Sequence, residues 1–243
     1  MKRLTPDNAE LLAAKMRADN GMGSSEPINA KTLIRNLGIM AIYRPLSEEL
    51  WGLSLKTDDG HPHFMLINSN ATRGSQHFTI AHELFHLYFE ENPQPHFCGR
   101  EMWKDPAERS ANMFASALLM PREGLLANIP MAELQSNQIS ISTILRLEQL
   151  YGVSHRTFVV RLRELKIITS DFAEQLNALS IKHEAAMRGY EPSIYEPGNE
   201  GLIIGDFGDK ARQLFEQERI SEGHYNELMN MIGYGKSEDC TGC

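Results

Sequence analysis

The stretch that decides the fold is QHFTIAHELFH, residues 76–86, which contains the HExxH pattern. Across residues 75–91 the apolar positions surround nearly the whole helical circumference, and this pattern predicts a buried helix. Residues four apart share one face of a helix, so His82 and His86 can reach the same ion while Glu83 can face a water bound to it. We therefore expect a zinc ion with two histidine ligands and an acidic residue beside it.

The third metal ligand has to come from outside this pattern, because a catalytic zinc ion takes three protein ligands and keeps a fourth position open. The extended pattern HExxHxxGxxH is excluded, since Phe89 and Asn92 stand where it needs glycine and histidine. Glu108 lies in the first turns of the next predicted helix, and Asn112 follows it on the same face. Glu108 can therefore bind the ion while Asn112 hydrogen-bonds a ligand. The competing acidic residues are Glu90, Glu91 and Glu101.

The composition is that of a globular chain with an acidic surface. The 243 residues carry a formal charge of −8 and are 42% hydrophobic. The acidic excess argues against a protein that coats nucleic acid or an anionic membrane. No apolar run approaches the roughly 18 residues of a membrane span, and the three cysteines do not suit a disulfide framework. We therefore expect a cytoplasmic protein that does not associate with membranes.

Short strands and helices alternate in the first half of the chain, and helices dominate the second half. Apolar and alternating runs predict strands at 39–43, 51–56 and 63–67, with a hairpin turn at 57–60. Helical periodicity with start and stop signals predicts the helices 6–20, 29–36, 75–91, 106–120, 140–150, 155–165, 170–187, 208–218 and 221–232. These elements predict an α+β fold with a small antiparallel sheet.

At this point the motifs resemble those of a known family. Residues 76–86, followed by ERSANMFASALLMP at 108–121, resemble the ImmA/IrrE family of zincin-like metallopeptidases, whose signature is RFTLAHELGH and then ExxAN-FAA-LLMP. The resemblance covers roughly residues 25–170, since the segment 147–168 is similar to the family's helix-turn-helix-like part. Two departures, Phe85 for a usual glycine and Ser110 for a frequent glutamate, touch no expected ligand.

The resemblance implies a domain organisation and a site. It implies a zincin-like metallopeptidase domain at 1–124, a helix-turn-helix-like segment at 125–168 and a helical accessory region at 169–243. By the same resemblance the metal ligands are His82, His86 and Glu108, and Glu83 is the general base. Zn²⁺ is the expected ion, with Mn²⁺ as the alternative.

The resemblance also implies a substrate. Family members cut a partner helix-turn-helix transcriptional repressor and relieve repression after DNA damage or phage infection, and a member from an anti-phage defence operon is one expectation. We expect the substrate to pair as a strand with the sheet edge near Trp51–Leu55. The candidate oxyanion donors are Tyr88, Tyr151 and His155.

Cys98 lies between the two expected ligand-bearing helices, in a loop flanked by proline and glycine. A thiolate binds zinc strongly and would fill the fourth position, so we hypothesise a cysteine switch that keeps the enzyme latent. His96 is a weaker candidate for the same part, and an ordinary loop cysteine is the alternative reading. Cys240 and Cys243 form a CxxC pair without a second pair and receive no role.

Two other classes of function compete with the peptidase. Arg156, Arg161 and Arg163 give the second predicted helix of the helix-turn-helix-like segment a local positive charge. This charge is compatible with a DNA-binding regulator, or with a peptidase that single-stranded DNA activates. The other class is a repressor-binding protein with a structural metal and no activity. Glu83 argues against that class, because a structural zinc site needs no acid beside its first histidine.

Overall fold

The computed structural model describes residues 4–56, 63–90, 96–99 and 105–232. The helices in this part are α1 (Pro6–Asp19), α2 (Ala30–Asn36), α3 (Arg73–Phe89), α4 (Pro106–Leu119), α5 (Arg122–Asn128), α6 (Met131–Ser136), α7 (Ile141–Tyr151), α8 (His155–Glu164), α9 (Ser170–Asn177), α10 (Ile181–Met187), α11 (Phe207–Glu216) and α12 (Glu222–Met231). The strands are β1 (Met40–Arg44), β2 (Leu50–Leu55), β3 (Phe64–Asn68), β4 (His96–Gly99) and β5 (Ile203–Ile204). A short 3-10 helix spans Pro192–Tyr195. The predicted α+β class is confirmed.

Most predicted elements are present within one or two residues, but several predictions were wrong or incomplete. The expected helix 170–187 is divided into α9 and α10, because the Leu179 N–H turns back to the carbonyl of Leu176. Helices α5 and α6 were not predicted, since each is short and begins directly after a proline. Strand β4 lies where an irregular segment was expected. The predicted hairpin turn lies outside the described residues.

The five strands form one sheet in the order β4-β2-β3-β1-β5. The pairs β2–β3, β2–β4 and β1–β5 are antiparallel, whereas β1 and β3 run parallel with Ile42 opposite Leu66. The sheet is therefore mixed rather than wholly antiparallel, because β2 crosses to the far side of β3 instead of pairing with β1. Strand β2 is not an edge strand, since β4 covers its outer side. The expected edge for substrate pairing at Trp51–Leu55 was therefore wrong.

One side of the sheet packs on α3, which in turn packs on α4, and α4 packs on α1. Phe85, which replaces the usual glycine of the resembling family, is fully buried, and its ring centroid lies 5.7 Å from that of Phe114 on α4. Phe89 approaches the same ring at 5.1 Å. The bulky side chain thus fills the interface between α3 and α4. Within the described ranges, every helix is too short or too polar to cross a lipid bilayer.

We call helices α7 and α8 the helix-turn-helix-like part, because they lie in the segment that the family resemblance predicts to be helix-turn-helix-like. Gly152 ends α7 with a left-handed φ of 63°, and the Ser154 hydroxyl caps α8 by accepting from the Thr157 N–H. A Cβ placed on Gly74 would lie only 2.5 Å from the Ser154 nitrogen, so this turn packs directly against the first turn of α3. The division of the chain into three parts, 1–124, 125–168 and 169–243, stays a prediction. Strand β5, in the third of these parts, pairs with β1 in the first.

A buried ion pair joins α7 to α8. The Glu148 carboxylate is fully buried and lies 2.6 Å from His155 Nδ1, while His155 Nε2 lies 3.0 Å from the carbonyl of Leu176. Tyr195 donates its hydroxyl to the other Glu148 oxygen at 2.6 Å. Burial by itself lowers the pKa of His155, but the hydrogen bond and the charge of Glu148 outweigh it, so the pKa is raised above 6.5.

Replacing His155 with glutamine is expected to destabilise the protein most at low pH. A histidine whose folded pKa is raised stabilises the fold fully below its unfolded pKa, and this contribution disappears as pH rises through the folded pKa. We expect a loss of about 2 kcal/mol near pH 6 that shrinks by about pH 9. Urea unfolding at both pH values tests this, with the exposed His183→Gln as control. An equal loss at both values would contradict the prediction.

Candidate metal centre

Two helix starts position the candidate ligands. The Thr72 hydroxyl accepts a hydrogen bond from the Ser75 N–H and caps the start of α3, the helix that contains the HExxH residues. The Asp105 carboxylate accepts from the Ala107 N–H at 2.8 Å and begins α4, so that Glu108 lies in its first turn. Ser110, the second departure from the family pattern, accepts the Leu4 N–H at 3.2 Å and joins α4 to the start of the chain.

Three candidate ligands converge at one buried point between α3 and α4. The Nε2 atoms of His82 and His86 lie 3.1 Å apart. One Glu108 oxygen lies 3.4 Å from His82 Nε2, and the other lies 3.4 Å from His86 Nε2. All three side chains are 3% exposed or less. The structure therefore brings together the two histidines of the motif and the glutamate from the next helix.

The other ring nitrogens show which atoms face this point. His82 Nδ1 donates to the Asn112 side-chain oxygen at 3.0 Å, and His86 Nδ1 donates to a Glu90 oxygen at 2.9 Å. A ring that donates through Nδ1 presents a lone pair at Nε2. Two nitrogen lone pairs and a carboxylate thus face one another, and such acceptors repel unless a cation lies between them. The donor set, two imidazoles and one carboxylate, is one that zinc favours.

Glu90 was considered from the sequence as a competing ligand, and its contact with His86 Nδ1 was not anticipated. The structure places Glu90 behind the His86 ring, on the side away from Glu108. The signal was present in the sequence, because Glu90 is four residues after His86. The side chains of Glu91, Glu101 and His96 lie outside the described residues, as do Cys240 and Cys243.

Glu83 is fully buried beneath strand β2. A Cβ placed on Gly52 of β2 would lie 3.5 Å from a Glu83 oxygen and only 2.6 Å from the Thr79 methyl group. Gly52 therefore allows the strand to lie directly against the face of α3 that carries Glu83. No sequence pattern predicted this close approach of strand and helix.

Strand β4 brings Cys98 to the candidate metal centre. Cys98 is paired with Gly52 across the sheet and is 2% exposed. Its sulfur lies with a His82 nitrogen and a Glu108 oxygen in a group whose atoms are all within 4.8 Å of one another. Burial, and then the charges of Glu83 and Glu108, raise the pKa of the Cys98 thiol well above its usual range. The structure thus places the Cys98 sulfur beside two of the candidate ligands.

A largely apolar cavity of about 290 Å³ lies next to the candidate metal centre. Asn112, which contacts His82, and Phe78, whose ring centroid is 6.5 Å from that of His82, both line this cavity. Trp51 of β2 and Val160 of α8 line it as well. The cavity is therefore lined both by α8 and by two residues that adjoin His82.

The three arginines of α8 do not share one environment. Arg161 is buried, donates from Nε to the Met120 carbonyl at 3.0 Å and pairs with Glu10. It joins α8 to α1 and to the end of α4, so its expected contact with nucleic acid or a partner was wrong. Arg156 and Arg163 are exposed, and for them that contact stays a prediction.

The candidate oxyanion donors lie in three different places. His155 uses both ring nitrogens for Glu148 and Leu176, Tyr88 packs its ring on His63, and the Tyr151 hydroxyl faces Gly124. His155 therefore has no ring nitrogen left to serve as an oxyanion donor.

Comparison with known proteins places this architecture in a family. No curated protein matches the chain significantly. The family model Peptidase_M78, described as the IrrE N-terminal-like domain, matches residues 34–163. This range contains β1 to β4, both helices of the candidate metal centre and the helix-turn-helix-like pair. The chain therefore belongs to the Peptidase_M78 family of metallopeptidases, with an IrrE N-terminal-like domain over more than half its length.

Proposed function

We propose that this protein is a zinc-dependent endopeptidase. The observation that carries the proposal is the convergence of His82 Nε2, His86 Nε2 and the Glu108 carboxylate at one buried point. Glu83, next to His82 in sequence and buried under β2, supplies the acidic group that peptide hydrolysis needs. Family membership supports a metallopeptidase in general.

The proposed mechanism assigns each residue a task. A zinc ion held by His82, His86 and Glu108 would polarise the scissile carbonyl and lower the pKa of a bound water. Glu83 takes the proton from the attacking water and passes it to the departing amine. Asn112 and Glu90 hold the histidine rings with Nε2 facing the site.

We propose a helix-turn-helix transcriptional repressor as the substrate, cut in the cytoplasm so that repression ends after DNA damage, phage infection or another stress. The family resemblance supports this substrate class. The cavity lined by Trp51, Phe78 and Val160 would take a large apolar side chain of the substrate near the scissile bond. Activation by single-stranded DNA is a further proposal, and it rests on the exposed Arg156 and Arg163.

Cys98 and strand β4 would keep this enzyme latent. Strand β4 pairs with β2 and brings the Cys98 sulfur within 4.8 Å of a His82 nitrogen and a Glu108 oxygen, where it would act as a fourth donor. Departure of β4 from β2 would remove the Cys98 sulfur from the site. The supporting observations are the pairing of Cys98 with Gly52 and the burial of the thiol.

Replacing Cys98 with serine is therefore expected to raise basal cleavage about tenfold without any inducer, because a hydroxyl is a far weaker zinc ligand than a thiolate. Cleavage of the repressor is followed by gel and mass spectrometry. The variant Cys240→Ser serves as the control for removal of a thiol elsewhere. Basal activity of Cys98→Ser no higher than that of the parent would contradict the latency proposal.

The peptidase assignment is tested with the zinc-loaded full chain and the helix-turn-helix protein encoded next to its gene. We expect cleavage that a chelator abolishes and added zinc restores. Glu108→Gln should lower zinc affinity by about 10- to 100-fold or more, whereas the exposed Glu123→Gln should not change it. Zinc and repressor binding without cleavage, even with Cys98→Ser, would instead support an inactive repressor-binding protein. Cleavage that survives chelation would overturn the metal assignment.

A further inference from the structure

A second cavity, of about 340 Å³, lies between α2, β1, the first turns of α3 and the end of α7. It shares no lining residue with the cavity beside the candidate metal centre. Its polar and aromatic lining includes Lys31, Tyr43, Arg73, Gln76, His77 and Tyr151. The mechanism proposed above gives none of these residues a task, although Tyr151 was a candidate oxyanion donor.

Two cations face this cavity, and no aspartate or glutamate is among its lining residues. Lys31 donates to the Asn199 side-chain oxygen at 2.8 Å, and Arg73 donates to the Ser193 carbonyl at 3.1 Å, so both partners are neutral. Burial, and then the charge of Arg73, lower the pKa of Lys31. The two charges therefore repel each other, and an anion between them would relieve that repulsion.

The nearby acid Glu196 does not neutralise this pair. Its pKa is lowered first by a hydrogen bond and charge interaction with Lys182 and only last by Arg73. The Glu196 carboxylate lies 2.5 Å from the Lys182 ammonium group. Within the part of the chain that the structure describes, neither Lys31 nor Arg73 forms an ion pair with a carboxylate.

Tyr43 supplies an independent sign of a ligand. Its side chain is fully buried and lines the cavity, yet its hydroxyl has no hydrogen-bond partner among the described residues. Buried hydroxyls are nearly always satisfied, because an unsatisfied one lowers stability. Burial raises the pKa of Tyr43, so the hydroxyl keeps its proton and can donate to a ligand oxygen.

The rest of the wall is neutral. His77 donates from Nδ1 to the Gly152 carbonyl at 3.0 Å and accepts the Ala30 N–H at Nε2, while burial lowers its pKa. Apolar side chains complete the wall, namely Ile28, Ile80, Leu150 and Ile194. The site thus combines a positive end, one hydroxyl donor and a neutral wall with aromatic and apolar surfaces.

We propose that this cavity binds a small molecule with a phosphate monoester and an uncharged planar group, the chemistry of a nucleoside monophosphate. Lys31 and Arg73 bind the phosphate, and the planar group lies against the neutral wall. The Tyr43 hydroxyl donates to a ligand oxygen. The volume is in the range of small-molecule sites. The proposal concerns binding alone and does not depend on peptidase activity.

Isothermal titration of the full chain with AMP and with adenosine tests the proposal. We expect AMP to bind at least about tenfold more tightly than adenosine and to lose affinity as salt rises, because the phosphate supplies the charge interaction. Lys31→Gln should weaken AMP binding about tenfold, since Lys31 contacts the phosphate directly. The matched control is Lys15→Gln, an exposed lysine paired with Asp19 on α1 that should bind AMP like the parent.

Tyr43→Phe separates a ligand contact from a structural role. Without ligand the variant should have a higher Tm than the parent, because it no longer buries an unsatisfied hydroxyl. It should nevertheless bind AMP several-fold more weakly, because the ligand loses one hydrogen-bond donor. Failure of the parent to bind AMP at millimolar concentration, or equal AMP affinity in the parent and Lys31→Gln, would overturn the proposal.

Discussion

Replacing Glu83 with glutamine is expected to slow peptide cleavage by about 10²- to 10⁴-fold, the usual contribution of a general base. The amide has nearly the same shape as the carboxylate but cannot take a proton from the attacking water. Glu83 is fully buried and is not among the three groups that converge on the candidate metal position. Zinc content and Tm should therefore stay close to those of the parent.

The measurement is single-turnover cleavage of the repressor by zinc-loaded protein, in the Cys98→Ser background if the parent is latent. Glu123→Gln, an exposed change of the same kind on α5, controls for loss of one negative charge. Metal content from each preparation separates loss of the base from loss of the ion. Cleavage by Glu83→Gln at the parent rate, with equal zinc content, would remove Glu83 from the proposed mechanism.

Replacing Arg17 with methionine is expected to cost about 3–5 kcal/mol of unfolding free energy, because several carbonyls lose a charged donor at about 1–3 kcal/mol each. Arg17 is 2% exposed. Its Nε donates to the Leu118 carbonyl at 2.9 Å, and one terminal nitrogen donates to the carbonyls of Gly23 and Glu26 at 2.8 Å each. Methionine fills much of the volume of the arginine side chain but leaves these carbonyls without a donor. The hydrogen bond that joins α1 to the end of α4 is therefore lost.

Urea unfolding near pH 7 measures this loss. Burial lowers the pKa of Arg17 to about 10, with Tyr151, Glu26 and Glu10 opposing the shift, so the guanidinium is charged at neutral pH. Arg35→Met, at an exposed position on α2, is the matched control. A loss for Arg17→Met below about 1 kcal/mol would show that the carbonyls find other partners.

The features that could be predicted are those that local spacing encodes. An i, i+4 pair on a strongly apolar helix places His82 and His86 on one face whatever the rest of the chain does. The proline at its start also predicted the next helix, and the first turns of this helix contain Glu108 and Asn112. The family motifs span these same segments, which is why the family could be identified before the fold was known.

Contacts between segments distant in sequence could not be predicted, because strand pairing and burial depend on three-dimensional packing rather than on local period. Strand β4 consists of four residues that pair with β2. No alternating pattern predicts so short a strand in a segment rich in proline and glycine. Arg161 looked like one of three surface cations, yet the meeting of α8 with α1 and α4 buries it against Met120 and Glu10.

The sequence by itself determined the buried helix, its two histidines and glutamate, and the partner helix with Glu108, since these follow from helical period and motif spacing. Only the tertiary structure decided that β4 covers β2 and carries Cys98 to the site, that Glu90 supports His86 from behind, and that Lys31, Tyr43 and Arg73 share a cavity. The physical reason is that each of these contacts depends on how separate elements pack, and no local repeat encodes that packing.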